Sequence, residues 1–138
     1  MKTIIFSVLF ITFFTVGCKD SISTNDNNEI VFQTVNSSFT NTDSIKVLIE
    51  NKTNSEFEVF LKCSGDLEMY YQKKENDSWS NYVWFSWMSL KCISTPEKIK
   101  GYNVFQYIIP FNEINENGTY RLVLANNTSI VSNSFEIK

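Results

Sequence analysis

From residue 29 onward, apolar and polar positions alternate in short runs separated by clusters of Asn, Ser, Thr and Asp. Side chains of a strand point to opposite faces in turn, so a period of two marks a half-buried strand. Residues 29–35 set Ile30 and Phe32 against Val31 and Gln33. Residues 44–50 read as a second strand, closed by the polar turn Asn51-Lys52-Thr53-Asn54-Ser55. In residues 56–63, Phe57, Val59 and Leu61 oppose Glu56, Glu58, Phe60 and Lys62, a strand with one wet face. Residues 67–74 are rich in strand formers and run into the turn cluster Glu75-Asn76-Asp77-Ser78 and then Trp79, which is a hairpin signal. Residues 104–109 form another strand, stopped by Pro110, and residues 118–124 and 130–137 form the last pair. Residues 95–98, around Pro96, read as a loop, and residues 111–117 as one helical turn. About eight short strands at regular spacing, with no amphipathic helix, predict an all-β antiparallel sandwich.

Residues 82–88 break the alternation, because this run is almost wholly apolar. As a strand it would place Tyr82, Trp84, Ser86 and Met88 on one face and Val83, Phe85 and Trp87 on the other. Such a run is either buried on both sides or displays its aromatics for binding. The second reading makes Tyr82, Trp84 and Trp87, with Tyr70 and Phe85, an aromatic platform on which a sugar could stack. The first makes them core, since a small sandwich needs large side chains and a Trp in a central strand commonly packs on an inter-sheet bridge.

The start of the chain has a different pattern. A short basic segment, Met1-Lys2-Thr3, leads into an apolar run over residues 4–16 that ends in Thr15-Val16-Gly17-Cys18. The run is too short for a membrane span, which needs about 20 residues, and suits a signal peptide. Small residues before a Cys at the end of such a run resemble the bacterial lipobox, with Thr15 where many members carry Leu. The resemblance implies cleavage before Cys18, diacylglycerol on its sulfur and a further fatty acyl chain, such as palmitate, on its amine. Residues 1–17 are then a signal peptide, and residues 18–28 a lipidated Cys18 with a polar tether. Residues 29–138 form the folded domain. One acyl chain anchors only marginally, whereas two or three hold a protein stably on a bilayer. The expected location is the bacterial cell envelope, lipid-anchored at the outer membrane and either periplasmic or surface-exposed.

Lipidation leaves two of the three cysteines, Cys63 and Cys92, in an oxidising compartment. A disulfide between them closes a loop of roughly 30 residues, worth about 3–4 kcal/mol in the chain-entropy model. The alternative is a pair of buried free thiols.

Of 138 residues, removal of the first 17 leaves 121, enough for one domain with a core. The net charge of −3 is scattered, with no basic stripe, which argues against nucleic acid. There is no His, so His-based acid–base chemistry and the usual zinc sites are excluded. The four glycines are isolated, so no phosphate-cradling loop exists, and the acidic residues lack the spacing of a calcium loop. No cofactor is expected. Asn-x-Ser/Thr occurs at Asn36, Asn51, Asn76, Asn117, Asn126 and Asn127, which beside a lipobox reads as a consequence of the high Asn content.

Several short motifs occur in a telling order: Asn51 after an alternating strand, Glu75-Asn76-Asp77-Ser78-Trp79, Gly118-Thr119-Tyr120-Arg121-Leu122, and a closing Ser132-Asn133-Ser134-Phe135-Glu136-Ile137. Over residues 43–138 the chain resembles a bacterial immunoglobulin-like domain. That resemblance implies an immunoglobulin-like β-sandwich of about 7–8 strands, frequent in lipoproteins, with no catalytic residues to carry over.

Two classes of function follow. The first is a non-catalytic, lipid-anchored envelope module that binds a protein or a surface glycan or serves a structural role. The second is an enzyme or a protease inhibitor. Catalysis without His would need a Ser, Lys and carboxylate set that no spacing here picks out. An inhibitor needs only an exposed loop, for which residues 94–100 are the candidate.

Overall fold

The computed structural model describes residues 29–138. Along them run β1 (Ile30–Thr34), β2 (Ser38–Phe39), β3 (Ile45–Asn51), β4 (Phe57–Lys62), β5 (Asp66–Leu67), β6 (Met69–Glu75), β7 (Ser78–Trp79) and β8 (Val83–Trp84). A 3-10 helix, Ser86–Ser89, follows, and then β9 (Ser94–Ile99), β10 (Val104–Ile109), β11 (Gly118–Leu124) and β12 (Phe135–Ile137). One sheet has the order β1-β3-β10, a second β5-β4-β9, and the largest β2-β12-β11-β6-β7, with β8 also paired to β6. All pairings are antiparallel except β12 with β2. The fold is an all-β antiparallel sandwich. No helix among the described residues is long and apolar enough to cross a membrane. The predicted signal peptide, Cys18 and tether lie outside the described residues.

The sheets share one core because the period-two pattern turns the same set of side chains inward on each strand. Val47 and Ile49 of β3, Val59 of β4, Met69 of β6, and Leu122 and Leu124 of β11 are all buried there. Aromatic rings thread this core in a continuous chain. Phe39 meets Phe135 at 5.7 Å, Phe135 meets Tyr120 at 6.1 Å, and Tyr120 meets Tyr71 at 6.0 Å between ring centroids. Tyr71 then contacts Phe85 at 5.0 Å, Phe85 stacks on Trp87 at 4.5 Å, and Trp87 reaches Tyr107 at 6.1 Å. The Tyr120 hydroxyl donates to the Glu116 carbonyl at 2.7 Å. This bond ties the start of β11 to the turn that precedes it. Burial and a hydrogen bond to Asp66 at 3.0 Å push the Tyr107 phenol well above its usual pKa.

Buried Asn51 joins two turns. Its amide nitrogen donates to the carbonyls of Ser55, Ile99 and Lys100 at 2.7, 2.9 and 3.3 Å, and its oxygen accepts from the Thr53 N–H at 3.0 Å and hydroxyl at 2.8 Å. The facing turn holds Gly101, where a Cβ would stand 2.7 Å from the Thr53 carbonyl oxygen. Leaving several of these buried groups unpaired is costly. We therefore expect Asn51→Ala to destabilise the domain by about 2–4 kcal/mol in urea unfolding.

The structure departs from the sequence expectations in four places. Residues 95–98, expected as a loop, lie within strand β9 (Ser94–Ile99), with Pro96 opposite Phe60. Strand β9 is an edge strand, so the N–H that Pro lacks is not needed for pairing. The segment therefore does not project as an inhibitory loop. The run 82–88 is not one strand: it pairs only at Val83–Trp84 and then turns into the 3-10 helix. Residues 111–117 contain turns and no helix. The expected strand 130–137 is reduced to a bridge at Val131 and the three residues of β12.

Cys63 and Cys92 form a disulfide with Cα atoms 5.2 Å apart, inside the usual range. The bridge lies just past the end of the β4–β9 ladder: Cys63 directly follows Lys62, and Cys92 stands two residues before its partner Ser94. Cys63 is exposed and Cys92 half-buried, so the bond staples the end of a ladder at the surface and does not cross the core between sheets. Cys63 and Ser64 turn the chain with φ of 51° and 63°, a left-handed conformation uncommon outside Gly.

Candidate functional site

Register decides which aromatics face out. Tyr71 and Lys73 of β6 lie opposite the inward residues Leu122 and Tyr120, so Tyr70, Gln72 and Lys74 take the outer face. Tyr70 pairs with Trp84 of β8, Gln72 with Arg121 of β11, and Lys74 with Trp79 of β7. These pairings gather residues from four strands into one outer row.

The row is packed ring to ring. Tyr70 stacks on Tyr82 at 5.4 Å with planes 22° apart, and meets Trp84 edge-on at 5.3 Å and 65°. Farther along, the Arg121 guanidinium lies 4.4 Å from the centre of the Trp79 ring, a cation–π contact. Its Nε donates to Gln72 Oε1 at 2.9 Å, and Gln72 Nε2 donates to the Ser80 carbonyl at 2.6 Å. Burial lowers the Arg121 pKa from its ordinary value, and nearby Tyr82 opposes this. Its position over an electron-rich ring is therefore held by hydrogen bonds on both sides of the amide.

The three predicted platform residues separate. Trp84 is 59% exposed and Tyr82 47%, whereas Trp87 is only 4% exposed. The Trp87 indole N–H donates to the Leu67 carbonyl at 3.0 Å, and its ring stacks on Phe85. Trp87 therefore belongs to the core, and the outer row is Trp84, Tyr70, Tyr82, Arg121 and Trp79. The 3-10 helix accounts for the division. It is drawn in by Glu113, whose carboxylate accepts from the Ser86 N–H at 3.2 Å and hydroxyl at 2.7 Å.

Beside Trp84 the row opens into a groove of about 490 Å³ between β6–β8 and β4–β9. Phe60 lines its far side, and Lys62, Glu68 and Asn126 supply polar groups. The Ser94 hydroxyl donates to Glu68 Oε1. The Asn126 amide nitrogen donates to the Glu58 carbonyl at 2.8 Å, which leaves its oxygen to accept. Sequence alternation places Phe60 and Lys62 on the wet face of their strand; that they line the same groove as Trp84 depends on long-range pairing.

A second cleft, of about 410 Å³, lies between Tyr71, Lys73, Glu113 and Glu116. Three of its four charges are committed to structural contacts, and Glu75, the fourth, forms no ion pair among the described residues. Lys73 Nζ bonds Glu116 at 2.7 Å, which lowers the Glu116 pKa and raises that of Lys73, and Glu113 holds Ser86 as described. Among the described residues no group of three or more Cys, Asp or Glu side chains could hold a metal ion.

No family model matches the chain, and no curated protein matches it. Among solved structures, a β-glucosidase from Erythrobacter marinus is similar over 78% of this chain, with a TM-score of 0.44 and 7% identity. The likeness spans 15% of the glucosidase's length.

Proposed function

We propose that this protein is a lipid-anchored module of the bacterial cell envelope that binds through the outer aromatic row of an immunoglobulin-like sandwich and carries out no catalysis. The observation that supports this best is Trp84, 59% exposed on a strand whose next residue, Phe85, is buried. Large exposed aromatics held rigidly by their neighbours favour binding, because little side-chain freedom is lost on contact. The bond from the Tyr120 hydroxyl to backbone four residues upstream matches the tyrosine corner of immunoglobulin-like sandwiches and supports the family resemblance. The anchor rests on the sequence ending in Cys18, and the polar residues after it would hold the domain off the bilayer.

Two measurements test this reading. In a detergent phase split, the wild-type protein should enter the detergent phase and Cys18→Ser the aqueous phase; a wild type found in the aqueous phase contradicts the anchor. In co-sedimentation with isolated envelope material, using the unlipidated Cys18→Ser protein, Trp84→Ala together with Tyr82→Ala should abolish retention without lowering the melting temperature. Retention that is unchanged by these substitutions contradicts the binding face.

A further inference from the structure

We infer that the groove between Trp84 and Phe60 is a binding site for a neutral oligosaccharide of pyranose sugars. The inference rests on the reading of the outer row as a binding face and adds the chemical class of its occupant. A pyranose presents C–H bonds on its faces and hydroxyls around its rim. It therefore suits a site that offers aromatic surface and a few fixed polar groups together. The groove has this composition. Trp84 stands on one side, braced edge-on by Tyr70 at 5.3 Å, and half-buried Phe60 lines the other.

The polar groups are placed for hydroxyls. Glu68 can accept, and its orientation is held by the Ser94 hydroxyl on Oε1. The Asn126 oxygen is free to accept because its nitrogen is occupied by the Glu58 carbonyl. Lys62 can donate, and it forms no ion pair among the described residues. A sugar hydroxyl donates and accepts at once, so it can answer both kinds of partner.

Charge selects among the candidates. The groove carries one carboxylate and one ammonium, Glu68 and Lys62, and so no net charge. A sulfated or uronate chain gains nothing from such a site and meets the Glu68 carboxylate. A nucleic acid needs several cations along its backbone, and this chain has a net charge of −3. A protein surface covering the groove would bury Glu68 and Lys62 at a desolvation cost. Hydroxyls can replace the water on both groups without bringing in charge. The volume of about 490 Å³ falls among ligand sites of ~300–1,000 Å³.

The test is titration calorimetry of the Cys18→Ser chain with soluble hexasaccharides of glucose, mannose, galactose and xylose. Heparin and polygalacturonate fragments serve as charged controls. At least one neutral series should bind and the charged chains should not. Trp84→Ala should weaken that binding about tenfold or more. Glu68→Gln, which keeps shape and removes charge, should weaken it severalfold, and Phe111→Ala, at an exposed residue outside both the row and the groove, should leave it unchanged. Binding of the charged chains alone, or neutral binding indifferent to Trp84→Ala, overturns the proposal. If none of these sugars binds while Trp84→Ala still releases the chain from envelope material, the glycan assignment fails and the binding-face reading stands. If Trp84→Ala alters neither, both fail.

Discussion

Truncating Trp87 to alanine is expected to destabilise the domain by about 3–5 kcal/mol, the range for removing a large buried aromatic. Trp87 stacks on Phe85 at 4.5 Å and meets Tyr107 at 6.1 Å, so its loss opens a void near one end of the aromatic chain and cuts Tyr107 off from it. It also strips the Leu67 carbonyl of its indole N–H donor. An orphaned buried acceptor adds to the cavity cost. Against a total stability of about 5–15 kcal/mol, this would lower the melting temperature by on the order of 15 °C. The same truncation three residues earlier, at exposed Trp84, should cost less than about 1 kcal/mol, because most of that side chain is already in water. Urea unfolding of the two variants side by side checks this. Equal losses would mean that both indoles are core residues, and the outer row would lose its central member.

Reduction of the Cys63–Cys92 bond is expected to lower stability by about 3–4 kcal/mol. Two effects compete over this value. The β4–β9 ladder already brings the two ends together at the Lys62–Ser94 pair, so the bond adds little to the folded state. The bond acts on the unfolded chain, where it removes the freedom of a loop spanning a sequence separation of 29. The second effect is independent of the ladder and therefore dominates in the chain-entropy model. Melts with and without reductant measure the sum. An unchanged melt would show that the bond, exposed at the edge, contributes nothing beyond the packing of the aromatic core.

Much of the sandwich was legible where local pattern and tertiary role agree. Strands β10 and β11 coincide residue for residue with the runs 104–109 and 118–124, because both are rich in strand-forming residues and Pro110 ends one while Gly118 begins the other. The β6–β7 hairpin was legible in Glu75-Asn76-Asp77-Ser78, where Asn76 takes the positive φ of 54° that tight turns favour in Asn. Strand β9 was hidden by Pro96, since only its place at a sheet edge makes a Pro tolerable, and edge position is a property of the whole fold. The two residues of β2 were too short to carry a pattern.

The site was half legible for a similar reason. Alternation says that Tyr82 and Trp84 share a face but not whether that face is wet. The Tyr70–Trp84 register, set across 14 positions of chain, settles it. Trp87 stays with Phe85, as alternation groups them, but Met88 is buried too and does not share the exposed face of Trp84, because the segment is a 3-10 turn, bonded to Glu113, 27 residues away in sequence from Ser86, that no period-two reading contains. The partners that complete the row and the groove, Arg121 over Trp79 and Phe60 across from Trp84, meet only through pairing between distant strands.

The division of one aromatic run into a surface half and a core half underlies both the proposed binding face and the stability of the domain. Fluorine NMR of the protein labelled with 5-fluorotryptophan tests it most directly, with resonances assigned through Trp79→Phe and Trp84→Phe. The expected result is a large shift between light and heavy water for Trp84, an intermediate one for half-buried Trp79, and almost none for Trp87. Equal shifts for Trp84 and Trp87, or a larger one for Trp87, would contradict it.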